Sequence, residues 1–201
     1  MDYEEKNDQE WVRRVQAGET DAFEVLIKRH ERMVFNLLYR WLGNYDDAAE
    51  VSQEVFLSAY RSIRRFRGES SFLTWLYRIA VNQAKNRLKA VSVLKRRTVP
   101  LEVADPDGDG RPISGISYPG PDPAQEAEAQ EIHDRVHLEL NRLDKDDRLL
   151  ILLRDLQDVP YEEMTKILGV PLGTVKSRLH RARQALKTRL ASYFYSTRVK
   201  K

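Results

Sequence analysis

The chain has 201 residues, 41% hydrophobic and 32% charged, with a formal net charge of +3, the composition of a soluble globular protein of one domain or two small ones. With no cysteine at all, disulfides, thiolate metal sites, zinc fingers and thiol nucleophiles are excluded. The longest apolar run, Leu149 to Leu153, is far below the ~18 residues of a membrane span, and the opening MDYEEKNDQE is acidic rather than signal-like, so the expected location is the cytoplasm.

Asn7 or Asp8 is the expected cap of a short first helix carrying Trp11, Val12 and Val15, closed by Ala17-Gly18. Thr20 or Asp21 is the expected cap of the next. From Phe23 through Leu26, Ile27, His30, Val34, Leu37, Leu38 and Trp41 the apolar spacing is helical for about five turns, until Gly43-Asn44 breaks it. His30 lies on that apolar face and reads as a partly buried core histidine rather than a ligand.

A third helix begins at Asp46 and Asp47, with Ala48, Val51, Val55, Ala59 and Ile63 as its inward stripe. Its other side carries Asp47, Glu50, Gln53 and Glu54, with Phe56 and Leu57 beside them. Mixed acidic and apolar surface suits a protein partner with basic side chains.

The cationic loop that follows holds Arg61, Arg64, Arg65, Phe66, Arg67 and Gly68 and ends in Ser70 and Ser71, a helix-capping pair. The next helix carries Phe72, Trp75 and Tyr77 early, then Arg78, Asn82, Lys85, Asn86, Arg87 and Lys89. Rings interleaved with cations and amides are what a single-strand binder needs, because stacking is worth roughly 1 to 3 kcal/mol per base. Trp75, Leu76 and Ile79 fit a core role equally well, whereas Asn82 and Asn86, one turn apart on one face, are harder to assign to packing.

Between Val93 and Pro123 lie six of the eight prolines and four of the nine glycines, against a packed helix or strand there. Nine acids fall between Leu101 and Asp134. An extended acidic, Pro-rich linker is expected over 93–128, joining a helical domain over 1–92 to another over 129–201. Within it, Asp105, Asp107, Asp109 and Gly110 match the opening of a calcium loop, but Ile116 stands where the bidentate Glu is required, so no metal is expected.

In the last domain Ile132, Val136, Leu140 and Leu143 make one stripe, and Asp144 or Asp146 caps a helix holding Leu149, Leu150, Leu152, Leu153 and Leu156. His133 and His137 read as exposed polar residues, there being no third ligand near them. Tyr161 to Leu168, Gly169 as the left-handed residue and Pro171 opening a longer basic helix give the helix-turn-helix pattern, whose second member enters the major groove. Val175, Leu179, Ala182, Leu186 and Leu190 face inward; Gly173, Ser177, Arg181 and Gln184 lie opposite, flanked by Thr174, Lys176 and His180. After Glu163 there is no Asp or Glu but ten Lys and Arg residues, which favours a polyanion. No glycine-rich phosphate loop, metal cluster or nucleophile with its base is present, so no enzyme, cofactor or small-molecule substrate is expected.

Three stretches in order, DDAAEVSQEVF, FRGESSFLTWLYRIAVNQAKN and PYEEMTKILGVPLGTVKSRLHRARQAL, resemble the extracytoplasmic-function (ECF) sigma factors of bacterial RNA polymerase, in particular the sigma-E type. The resemblance covers most of 8–92 and 130–191, and implies an all-α, two-domain specificity subunit without catalysis of its own. It implies core RNA polymerase as a partner through its largest and second-largest subunits, with Asp47, Glu50, Gln53, Glu54 and Phe56, beside Leu57, docking the largest. The loop Phe66 to Ser71, with Asn82 and Asn86, is then implied to read the minus-10 promoter element as melted strand, with Arg61, Arg64, Arg65, Arg78, Lys85 and Lys89 on phosphates. Thr174, Lys176, Ser177, His180 and Arg181 are implied to read the minus-35 duplex, with Arg178 and Arg183 on its backbone. An anti-sigma factor, often membrane-bound, is a further implied partner, and the acidic linker is implied to thread the RNA-exit path. The chain departs from the family in having Leu143-Asp144 where Leu-Pro is frequent, and His180 stands at a position that varies.

Overall fold

The computed structural model describes residues 2–97, 132 and 134–198, with side-chain surroundings for 8–92, 132 and 134–191. The calcium-like DPDGDG run, positions 98–128 of the expected linker and His133 lie outside the described residues, whereas 93–97, expected to belong to that linker, continue the last helix of the N-terminal module. Among the described residues the fold is all-α without a strand.

The N-terminal module contains α1 (Asp2–Gln16), α2 (Asp21–Leu42), α3 (Tyr45–Ser62), a 3-10 turn (Ile63–Arg65) and α4 (Phe72–Arg97). Helix α1 starts earlier than Asn7 or Asp8, so neither is its cap. Asp8 instead accepts from Arg29 at 3.1 Å and pairs with His30 at 2.7 Å, tying α1 to α2 in a nearly closed site. The sequence could not distinguish these roles, since a short acid near a helix start suits either.

Gly43, at φ 79°, takes the left-handed C-cap that ends α2. Helix α3 begins at Tyr45, one residue before the expected Asp46, and Asn44 caps it by accepting from the Asp47 N–H. The expected stripe of α3, Ala48, Val51, Val55, Ala59 and Ile63, is buried throughout. It packs with Leu26, Val34, Leu37, Leu38 and Trp41 of α2 and with Leu76, Ala80, Val81 and Ala84 of α4. Each large aliphatic side chain buried in this way contributes about 1.5 to 3 kcal/mol.

The C-terminal module contains helical residues 134–141 (α5), α6 (Lys145–Ile151), a wide π turn (Leu152–Leu156), α7 (Tyr161–Leu168) and α8 (Leu172–Arg198). Asp144 caps α6, its carboxylate accepting from the Asp146 N–H at 2.9 Å. Gly169 holds φ 68° between α7 and α8. Pro171 precedes α8, its carbonyl accepting from Thr174 and Val175. Val175, Leu179 and Ala182 are fully buried, while Leu186 and Leu190 are half-buried as α8 runs off the core. Two expected core members are exposed instead: Ile132 at 41% and Leu156 at 36%. Ile132 stands before α5 has packed, and Leu156 is turned outward by the π turn, which adds a residue to the helical ring. His137 is half-buried rather than exposed.

The two modules share one apolar cluster. Helix α4 packs on α7, and the end of α2 packs on α6 and the π turn. Trp41 and Tyr77, each 1% exposed, are closed off at this junction.

Candidate nucleic-acid and partner interfaces

Helix α3 presents Glu50, Gln53, Glu54 and Leu57 to solvent, with Leu57 55% exposed. Phe56 is buried at 9% and forms the floor of a groove of about 910 Å³ between α2 and α3. Phe23, Phe35, Tyr45 and Tyr60 line the same groove, and none of them was singled out as a site residue in the sequence. The rings support each other, Phe23 to Tyr60 at 5.1 Å and Phe35 to Tyr45 at 5.3 Å. The acidic face therefore borders an aromatic trough, giving a partner both charge and apolar area to bind.

Arg87 turns toward this acidic face. It pairs with Asp47 at 2.7 Å and with Glu50 at 2.8 Å, and its pKa is raised above the ordinary arginine value chiefly by the hydrogen bond to Asp47. The sequence grouped Arg87 with strand-binding cations on α4; in the fold it orients the carboxylates of α3 instead.

The loop between the 3-10 turn and α4 is held from both ends. Gln16 on α1 donates to the carbonyls of Ile63 at 2.8 Å and Phe66 at 3.0 Å, fixing the backbone at the base of the loop. Gly68 sits at φ 73°, where a side chain would be strained. Ser71 caps α4 by accepting from the Thr74 N–H at 3.0 Å, and it donates to the Thr74 hydroxyl at 2.8 Å. Phe66 lies 5.1 Å from Trp75 and 6.0 Å from Phe72, ring centre to ring centre. Trp75 is only 8% exposed, so its principal neighbours are these rings.

A cavity of about 410 Å³ opens here, lined by Arg65, Phe66, Arg67, Ser70, Thr74, Trp75, Arg78 and Lys166, with Glu69 the one acid among them. Arg65, Arg67 and Arg78 are exposed at its rim; Arg61 and Arg64 are exposed on the preceding helical turns, as are Asn82, Asn86 and Lys89 along α4, with Lys85 half-buried. An aromatic floor with a cationic rim can stack a base and hold its phosphates. Tyr77, by contrast, belongs to the core: burial pushes its hydroxyl pKa far up, keeping it a donor, and it donates to Gln157 at 2.8 Å. Its place among the ring-and-cation pattern of α4 was therefore misleading.

On α8, Lys176, Ser177, Arg178, His180 and Arg181 are exposed on one side, Thr174 is half-buried beside them, and no acid shares the helix. Lys176 is 5.8 Å from the centre of the Tyr161 ring. Arg183 is drawn to Asp155 across the module, its Nε donating at 3.1 Å; the same hydrogen-bonded carboxylate raises its pKa. These exposed side chains sit where a groove-inserted helix carries its base and phosphate contacts.

A family profile described as Sigma-70 region 2 matches residues 26–92, and one described as Sigma-70, region 4 matches 133–186. The ECF RNA polymerase sigma-E factor of Haemophilus influenzae is 38% identical over 187 residues, 93% of this chain and 97% of that protein. The chain belongs to the ECF sigma factors. The sigma-E factor of Escherichia coli K12 is 37% identical over 93% of this chain and 96% of its own length. The RNA polymerase sigma-H factor of Pseudomonas aeruginosa is 35% identical over 90% and 93%. In three dimensions this ECF sigma factor is similar to CnrH in its complex with the cytosolic domain of CnrY, with TM-score 0.62 and 22% identity over 92% of this chain and 97% of that one. It is also similar to the sigma factor RpoE of Bartonella quintana in complex with the anti-sigma factor NepR, with TM-score 0.62 and 23% identity over 84% and 96%. These last two likenesses confirm the two-module helical fold. As an ECF sigma factor the chain directs transcription, and no described helix is long and apolar enough to cross a membrane.

Proposed function

We propose that this sigma factor binds core RNA polymerase and reads one promoter in two physical states, minus-35 as duplex and minus-10 as separated strand. The observation that carries the reading is the pairing of a basic, acid-free groove helix in one module with a ring-floored cationic cavity in the other. A helix in a major groove reads base edges without opening the duplex, whereas a pocket that stacks a base can act only on one taken out of the stack.

In this reading Asp47, Glu50, Gln53, Glu54, Phe56 and Leu57, with the aromatic trough beside them, take the polymerase. The loop Phe66 to Ser71, with Asn82 and Asn86, takes the unpaired minus-10 bases. Arg61, Arg64, Arg65, Arg78, Lys85 and Lys89 hold phosphates. Thr174, Lys176, Ser177, His180 and Arg181 face the minus-35 bases, with Arg178 and Arg183 toward the backbone. The domains are 1–92 and 129–201 with 93–128 as linker, and the chain contributes no catalysis and no cofactor. Relatives of the same fold held by CnrY and NepR support an anti-sigma partner competing for the polymerase-facing surface. Run-off transcription with and without core polymerase tests the reading: specific starts that need both proteins uphold it, and starts indifferent to the sigma factor overturn it.

A further inference from the structure

We propose that Asp155, on the π turn, is a positioning residue for minus-35 binding: it grips Arg183 of α8 through two parallel hydrogen bonds and presets the rest of that guanidinium for a DNA phosphate. The inference rests on the reading of α8 given above and adds to it a residue from outside the groove helix.

The contact is a fork. Arg183 Nε donates to Asp155 Oδ2 at 3.1 Å, and Arg183 Nη2 donates to Asp155 Oδ1. A bidentate pair of this kind fixes orientation as well as distance. Of the five N–H donors of an arginine, two are engaged here and three are left for another acceptor. Both side chains stay open to solvent, Arg183 at 46% and Asp155 at 32%, so the remaining donors can be reached.

A second support stands beside the fork. Lys176 and Arg183 are close to two full helical turns apart, and so share one edge of α8. Tyr161, half-buried at the start of α7, lies along that edge: Lys176 Nζ is 5.8 Å from its ring centre, and its hydroxyl adds to the raised pKa that Asp155 chiefly gives Arg183. Arg154, 5.1 Å from the centre of the same ring, is taken up by Asp158 at 3.1 Å and the Val159 carbonyl at 3.2 Å. Among the described residues Asp155 therefore pairs with Arg183 alone.

An acid set against a DNA-reading helix has an electrostatic cost, because it repels phosphates. The chain otherwise avoids it, with no Asp or Glu after Glu163. Arg178 and Arg181, exposed on the same helix, have no side-chain partner among the described residues. They give up rotamer freedom when they bind, whereas Arg183 has given up much of it already. Preorganisation of this kind offsets the charge that Asp155 cancels.

Holoenzyme binding to a duplex carrying the minus-35 element, titrated at several salt concentrations with the full chain, tests the proposal. Asp155→Ala is expected to weaken binding about three- to tenfold and to lower the salt slope by about 0.9, one phosphate contact. Arg183→Lys, which keeps the charge but cannot form the fork, is expected to weaken binding likewise. Asp155→Ala added to Arg183→Ala should change nothing further, since its route to the DNA runs through that guanidinium. Tighter binding with a steeper salt slope in Asp155→Ala overturns the proposal, because the carboxylate would then be withholding Arg183. An unchanged slope with reduced unfolding stability also overturns it, as the mark of a merely structural pair; so does parent-like binding by Arg183→Lys, or further loss in the double variant. An Arg183→Ala variant that binds like the parent brings down the minus-35 role of Arg183 and this inference with it. A weakened Arg183→Ala beside an intact Asp155→Ala sinks the positioning role alone, so the two failures are distinguishable.

Discussion

His30 and Asp8 face each other at 2.7 Å in a site where both are about 5% exposed, and Arg29 reaches the other carboxylate oxygen at 3.1 Å. One carboxylate from α1 thus pairs with two residues of α2 and anchors the helix whose Gln16 donates to the Ile63 and Phe66 carbonyls at the base of the loop proposed to read minus-10. Asp8→Ala strands a buried imidazole and a half-buried guanidinium, and is expected to cost about 1 to 3 kcal/mol of stability. Urea unfolding checks this. A midpoint within error of the parent would show that α1 is not held by this pair.

Gln16 connects stability to function. Gln16→Ala releases the carbonyls of Ile63 and Phe66 without touching the trough between α2 and α3. Open-complex formation is expected to slow several-fold while affinity for core polymerase stays unchanged. Stopped-flow melting kinetics beside an equilibrium binding titration separate the two, and an equal loss in both would remove Gln16 from loop positioning.

Charge reversal on α3 tests the proposed polymerase-binding face. Glu50→Arg places a cation beside Arg87 and opposite a basic partner surface, and is expected to weaken core binding at least tenfold. Stability should stay close to that of the parent, because Glu50 is exposed and the lost pair with Arg87 is a surface one. Fluorescence anisotropy with labelled protein measures the binding. Unaltered affinity would move the docking surface elsewhere.

The groove helix separates specificity from affinity. Arg181→Ala is expected to reduce discrimination for the minus-35 sequence by about 1 to 3 kcal/mol. Arg178→Ala should weaken holoenzyme binding across all sequences and lower the salt slope by about 0.9. Titrations on matched and scrambled duplexes at several salt concentrations distinguish them, and identical behaviour of the two variants would contradict the division.

The apolar stripes of α2, α3 and α8 were legible in the sequence because helical periodicity is written locally, and so was the turn at Gly169. The ring-and-cation loop was legible as a type of surface. What sequence spacing could not carry was direction across the fold. Arg87 and Arg78 are both α4 cations, yet one turns to the carboxylates of α3 and the other to the cavity. Tyr77 and Trp75 are two residues apart, yet one donates across the domain junction and the other backs Phe66. The π turn before Gln157, which delivers that amide to Tyr77 and exposes Leu156, has no local signature. The junction itself was illegible for the same reason: residues some 80 to 107 positions apart meet there.

Permanganate reactivity of thymines in the minus-10 element, measured beside nuclease protection of the minus-35 element, tests most directly whether one module reads paired and the other unwound DNA. With core polymerase and the parent protein, reactive thymines should appear together with minus-35 protection. The combined Asn82→Ala and Trp75→Ala variant should lose the reactive thymines and keep both protection and core association. Thymines that stay reactive in that variant, or that never become reactive with the parent, would contradict the account.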